Sequence, residues 1–217
     1  MQSKNVREPK PLSYTESMNQ VAQKHLFTLA EYLAIEPEGK VRHEFINGEL
    51  VAMTGTSRAH NAIVTNLTAA FHLHLRGTPC RIASNDMKVV IAAANRGYYP
   101  DVVVSCGDPA DELDDYTESH PRLIVDVLSS STEAFDRTDK RSHYQQLDSL
   151  IDYVLVAQTI PMVEVHSRQG DDWTVTTYGV GDEVRLPSIN LALPIAVIYE
   201  AVALPPPSIG ADRTDLV

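Results

Sequence analysis

The sequence is short of cysteine, of tryptophan and of long apolar runs, and these shortages exclude several classes of protein. Two cysteines in 217 residues, Cys80 and Cys106, are too few and too far apart for a disulfide framework or a structural zinc site. A reducing cytoplasm is the expected compartment. The first 25 residues hold no apolar stretch of signal-peptide length, so secretion is not expected. No stretch reaches the roughly 18 to 20 apolar residues that span a bilayer. Positive charge is scarce too: 18 Lys and Arg face 29 Asp and Glu, a formal net charge of −11. That balance favours solubility and opposes loose, non-specific nucleic-acid binding, but leaves room for a local basic or metal-neutralised site. The chain lacks a repeat of 20 to 50 residues, a Gly-rich phosphate loop, a Gly-x-Ser-x-Gly elbow and an HExxH pair.

The remainder is ordinary globular chemistry, 43% hydrophobic and 22% charged, and its length fits one domain. The polar opening with Pro9 and Pro11 reads as a flexible tail over 1–25. The segment from Pro205 to Val217 reads as another, leaving a domain over 26–204. Within it helix and strand signals alternate, predicting a mixed α/β sheet with helices packed on it. Thr28 precedes a short helix, Leu29 to Leu33. His43 to Ile46, then Asn47-Gly48, then Glu49 to Met53 predict a hairpin with a type I′ turn. Arg58 to Leu75 predicts a helix, with Ile63, Leu67 and Phe71 at helical spacing. The β-branched runs Met87–Ala92, Val102–Val104 and Leu123–Leu128 predict strands covered on both faces. Ser130-Ser131-Thr132-Glu133 predicts a capping box opening a helix to about Leu147. Ile151–Val156, Met162–His166 and Trp173–Tyr178 predict a meander, followed by a strand over Ile189–Leu193 and a short helix near Tyr199.

The candidate chemistry lies on two of these strands. Asp101 heads the strand Val102–Val104, and Asp126 sits inside the next one, between Val125 and Val127. A carboxylate within a buried strand is costly unless it is paired, hydrogen-bonded or bound to a metal. If the strands are neighbours, the two acids can converge on one hard cation such as Mg²⁺; the bland alternative is a strand cap and a structural ion pair. Asp136, Lys140 and Tyr144 share a face of the following helix, either as a surface ion pair or with the ammonium turned toward the acids. Spacing alone places Glu44 on a solvated strand and His60 in a capping or core role. His72 and His74, two apart on a helix, do not face each other.

The runs Tyr99-Pro100-Asp101-Val102-Val103-Val104, Leu123 to Thr132, and Asp136-Arg137 with Lys140 and Tyr144 resemble the Uma-two family of restriction-endonuclease-like proteins. So do His43 to Leu50 and Tyr153 to Val156. The resemblance covers roughly 26–200 and implies the PD-(D/E)XK nuclease fold, a central mixed sheet flanked by helices. It makes Asp101 the aspartate of the PD motif, Asp126 the second acid, and Glu44 a further acid of the first hairpin. It implies Mg²⁺ or Mn²⁺ held by Asp101, Asp126, the carbonyl of Val127 and Glu44, with Lys140 as the catalytic lysine. Two departures stand out: Asp126 replaces the usual glutamate, and Leu128 occupies the usual lysine position. The implied function is metal-dependent hydrolysis of DNA by a cytoplasmic homodimer that does not touch a membrane. The alternatives are a catalytically silent nuclease-like domain that binds nucleic acid or protein, and a small-molecule metal hydrolase. Six acids between residues 108 and 118, with no Lys or Arg, carry much of the net charge; without them it is −5.

Overall fold

The computed structural model describes residues 25–108 and 113–205; the expected tails, apart from His25 and Pro205, and part of the acidic loop fall outside them. Chain order begins with α1 (Leu29–Ile35), the hairpin β1 (His43–Ile46) and β2 (Glu49–Ala52), and the long helix α2 (Arg58–His74). Strands β3 (Arg81–Ser84), β4 (Val89–Ile91), β5 (Arg96–Tyr98), β6 (Val102–Ser105) and β7 (Pro121–Leu128) follow. A helical segment then runs through α3 (Glu133–Phe135), a π-helical turn (Asp136–Lys140) and α4 (Arg141–Tyr144). The meander β8 (Asp152–Ala157), β9 (Val163–Gln169) and β10 (Asp172–Tyr178) precedes the pair β11 (Glu183–Leu186) and β12 (Leu191–Pro194), and α5 (Ile195–Ile198) closes the fold.

Six strands form the main sheet in the order β10-β9-β8-β7-β6-β3, parallel only between β7 and β8. The helical segment makes that parallel crossover, as such a connection requires. A second, antiparallel sheet runs β2-β1-β5-β4. Strand alternation divides β7 between two cores. Leu123, Val125 and Val127 pack with Ile63, Leu67 and Phe71 of α2, whereas Ile124 and Leu128 join Tyr98, Tyr144 and Tyr153 on the opposite face. The expected mixed α/β architecture is therefore present. Thr28 caps α1 with a reciprocal Glu31 bond, and Asn47 and Gly48 take positive φ at the hairpin turn.

Several elements differ from expectation. Only Val89–Ile91 of the Met87–Ala92 run is strand; a 3-10 turn over Ala92–Ala94 ends at left-handed Asn95, and β5 returns beside β4 in the smaller sheet. Strands β3 and β5 are short and carry too little alternation to announce themselves, and β11 alternates over only four residues. The Ser130 capping box does not form. Instead the Ser129 hydroxyl accepts from the Thr132 N–H at 3.2 Å, and the Ser129 carbonyl from the Glu133 N–H. Cys80 and Cys106, 26 residues apart, are joined by a disulfide because the β3–β6 register (Arg81 opposite Ser105) brings them face to face. One bridge across a strand pair is a staple rather than a framework. Among the described residues no helix is long and apolar enough to cross a membrane.

Candidate active site

The pairing of Val102 with Val125 sets Asp101 and Asp126 side by side where β6 begins and β7 nears its end. Both open onto one cleft of about 340 Å³, which Glu44, His60, Val127, Asp136 and Lys140 also line. Asp101 is anchored at both oxygens. Oδ2 accepts from the Val127 N–H at 2.7 Å, and Oδ1 lies 2.8 Å from His60 Nε2. The backbone of Val127 thus engages the site through its amide, which holds the first aspartate.

Asp126 is 3% exposed. Its Oδ2 accepts from the Tyr153 hydroxyl at 2.8 Å, and both oxygens lie 3.2 Å from Lys140 Nζ. Glu44 and Asp136 approach the same ammonium at 3.5 and 3.6 Å. The Tyr98 and Tyr144 rings flank it at 5.5 and 5.8 Å to their centroids, close enough for cation–π attraction. Lys140 comes from the π-helical turn, where Asp136, four residues earlier, lies on the same face and lines the cleft with it; such turns recur at functional sites. Leu128, where the superfamily lysine is usual, is buried in the second core.

Glu44, Asp126, Asp136 and Lys140 therefore meet at one point, with Asp101 alongside. Glu44 points inward from β1 rather than into solvent, and the Asp136–Lys140 pair is buried rather than superficial. Sequence reasoning undervalued His60 and Tyr153. His60 extends the buried stripe of Ile63, Val64, Leu67 and Phe71 to the end of α2, where that stripe runs out into the cleft. Tyr153 stands opposite Ile124 on β8, with its hydroxyl reaching Asp126 on the neighbouring strand.

The charge balance is uneven: three carboxylates, Glu44, Asp126 and Asp136, surround one ammonium, and a fourth, Asp101, lines the same cleft. Burial, followed by the nearby charges of Asp136 and Asp101, pushes the Asp126 carboxyl up to about 7 against the opposing pull of Lys140 and the Tyr153 hydroxyl. Lys140 is buried, which opposes its charge, yet the surrounding acids, Asp126 first, hold its pKa well above the ordinary lysine value. Burial next to Asp126 keeps Tyr153 firmly protonated, as a hydrogen-bond donor must be. Among the described residues no three histidine, cysteine or acidic side chains are placed so that they could hold a metal ion as they stand. Carboxylate oxygens are the donors that a hard divalent cation takes, but here those of Asp101 and Asp126 are engaged by His60, the Val127 amide, Lys140 and Tyr153.

The comparisons with known proteins agree with this architecture. The Uma2 family, described as "Putative restriction endonuclease", matches residues 29–197. An uncharacterized protein of Synechocystis sp., slr1290, is 37% identical over 174 residues, covering 80% of this chain and 91% of that one. A second from the same organism, sll1609, is 33% identical over 167 residues, covering 76% and 94%. A crystal structure from Anabaena variabilis, described as "a putative nuclease belonging to DUF820", superposes with a TM-score of 0.66 at 18% identity, covering 80% of this chain and 97% of that one. That likeness shows a shared fold. With its family profile spanning most of the domain and relatives matched over nearly their whole length, the chain belongs to the Uma2 family.

Proposed function

We propose that the cleft hydrolyses phosphodiester bonds in DNA with the help of Mg²⁺ or Mn²⁺. The observation that carries this reading is the meeting of Glu44, Asp126 and Asp136 around the ammonium of Lys140, with Asp101 lining the same cleft. Asp101, Asp126 and the carbonyl of Val127 would hold the cation, with Glu44 beside them. When bound, the cation would lower the pKa of a water and offset charge on the phosphate. Lys140 donates toward that water or toward the charge growing on the phosphate, a role suited to an ammonium fixed in a water-poor site. Tyr153 keeps Asp126 oriented, and the Val127 amide keeps Asp101 oriented. A homodimer would present one such cleft to each strand of a duplex.

The test is plasmid cleavage by purified protein with Mg²⁺, with Mn²⁺ and with EDTA. Nicking that needs the metal and disappears in Asp101→Ala is the expected result; no cleavage by the wild type, or undiminished cleavage by the variant, overturns the proposal. One observation favours a second reading. Asp126 is a residue shorter in reach than glutamate by one methylene, and both its oxygens are already engaged by Lys140 and Tyr153. A domain that binds DNA and does not cut it would show salt-dependent binding without metal-dependent nicking.

A further inference from the structure

We propose that the cleft takes an unpaired DNA strand, one nucleotide set between apolar lips, in preference to an intact duplex. Resting on the hydrolytic reading above, this names the form of DNA that the site accepts. The reacting groups lie deep: Asp126 is 3% and Lys140 6% exposed, in a cleft of about 340 Å³. That volume is at the lower end for ligand pockets, about 300–1,000 Å³, and suits one nucleotide rather than a base pair held in its stack.

The lips are apolar and open. Val51 stands directly opposite Glu44 in the β1–β2 hairpin, so the two side chains share a face, and from that face Glu44 reaches Lys140. Val51 and Met53 line the cleft yet are 43% and 36% exposed, and β2 is the outer strand of its sheet, with no strand beyond it among the described residues. Phe135, half-buried, lines the same cleft one residue before Asp136. Against a charged and hydrated sugar–phosphate backbone these side chains gain nothing, whereas the face of an unstacked base covers them. Charge points the same way. A duplex is held chiefly by Lys and Arg that neutralise successive phosphates. Lys140 is the one Lys or Arg lining the cleft among the described residues, and the chain carries a formal net charge of −11. Contacts to base faces need no such cations, and a strand already unpaired bears no cost of leaving the stack. Where the strands of a duplex part, each can enter a cleft of its own.

Cleavage of end-labelled DNA of one sequence, offered with Mn²⁺ to the full chain as single strand, as perfect duplex and as duplex with a central unpaired bubble, tests this. The single strand and the bubble are expected to be cut about tenfold faster than the perfect duplex, with the cuts in the bubbled DNA confined to the bubble. Fluorescence anisotropy in EDTA reads binding apart from the chemistry. Exchanging Val51 and Met53 together for serine is expected to weaken binding of the single strand about tenfold, and the apolar pair Val51→Ile with Met53→Leu to preserve it. A perfect duplex cut as fast as the single strand overturns the inference and leaves the hydrolytic reading intact. So does a folded serine variant that binds the single strand as tightly as the wild type. No cleavage of any of these DNAs overturns the hydrolytic reading and the inference together.

Discussion

Replacing Lys140 by methionine removes the one Lys or Arg that lines the cleft among the described residues, while keeping most of the side chain's apolar volume. In EDTA the loss of stability grows with pH. At 3.2 Å, with an effective dielectric constant of about 20, the Lys140–Asp126 attraction is about 5 kcal/mol. Removing one partner of a buried pair costs about 3–5 kcal/mol in practice. Asp126 can evade part of that cost by taking up a proton. Its pKa of about 7 in the wild type rises further once the ammonium is gone. Below about pH 7 the carboxyl is protonated in both proteins and the difference between them is small. Above it, the variant holds a proton that the wild type has released, and each further pH unit adds about 1.4 kcal/mol to the penalty until the variant's own pKa is reached. Between pH 6 and 8.5 the gap should widen by about 2 kcal/mol, or about 4–8 °C in melting temperature for a chain of this size. Thermal unfolding of both proteins at the two pH values reads it. An equal gap at both pH values would refute the electrostatic argument and reduce Lys140 to a packing element.

Further outcomes follow from neighbouring contacts. The wild type in EDTA should lose stability progressively as pH rises from about 4 to about 7 and level off above, because between those values the folded Asp126 holds a proton that the unfolded chain has released; calorimetric scans read that slope. His143 and His166, both lowered by burial, act in the opposite sense and withdraw stability as pH falls below about 6.5. Tyr153→Phe deletes a hydroxyl that holds the Asp126 pKa down, so the carboxyl should titrate higher still, read from its ¹³C shift; an unchanged midpoint contradicts the bond's role. Gly97→Ala would set a Cβ 2.9 Å from Tyr32 Cε1, on a fully buried ring stacked against Phe45, and should cost about 1–3 kcal/mol in urea unfolding.

What could be read from sequence was set by how far each signal reaches along the chain. The hairpin at Asn47-Gly48, the stripe of α2 and the meander are local patterns, and they appear where they were expected. Asp126 was legible because a carboxylate among β-branched residues is costly wherever it lies. The Asp101–Asp126 juxtaposition depended on two strands pairing, a non-local fact that spacing could raise only as a condition. The Cys80–Cys106 bridge is the same kind of fact and went unread for the same reason. Three of the cleft residues looked bland in one dimension. Glu44 alternates on a short strand, Asp136 resembles an exposed i,i+4 partner, and His60 resembles a helix-end core residue. Only the convergence of β1, α2, β7 and the π-helical turn gives them one address. That turn is itself invisible in sequence, since it differs from an α-helix by a single hydrogen-bond step.

The central claim is that the surplus carboxylates of the cleft serve a divalent cation, and calorimetric titration of the full chain with Mn²⁺ tests it most directly. The account predicts one site per chain in the wild type, abolished by Asp101→Asn and by Asp126→Asn while both variants remain folded by circular dichroism. A wild type that binds no Mn²⁺, or variants that bind it as well as the wild type, would contradict it.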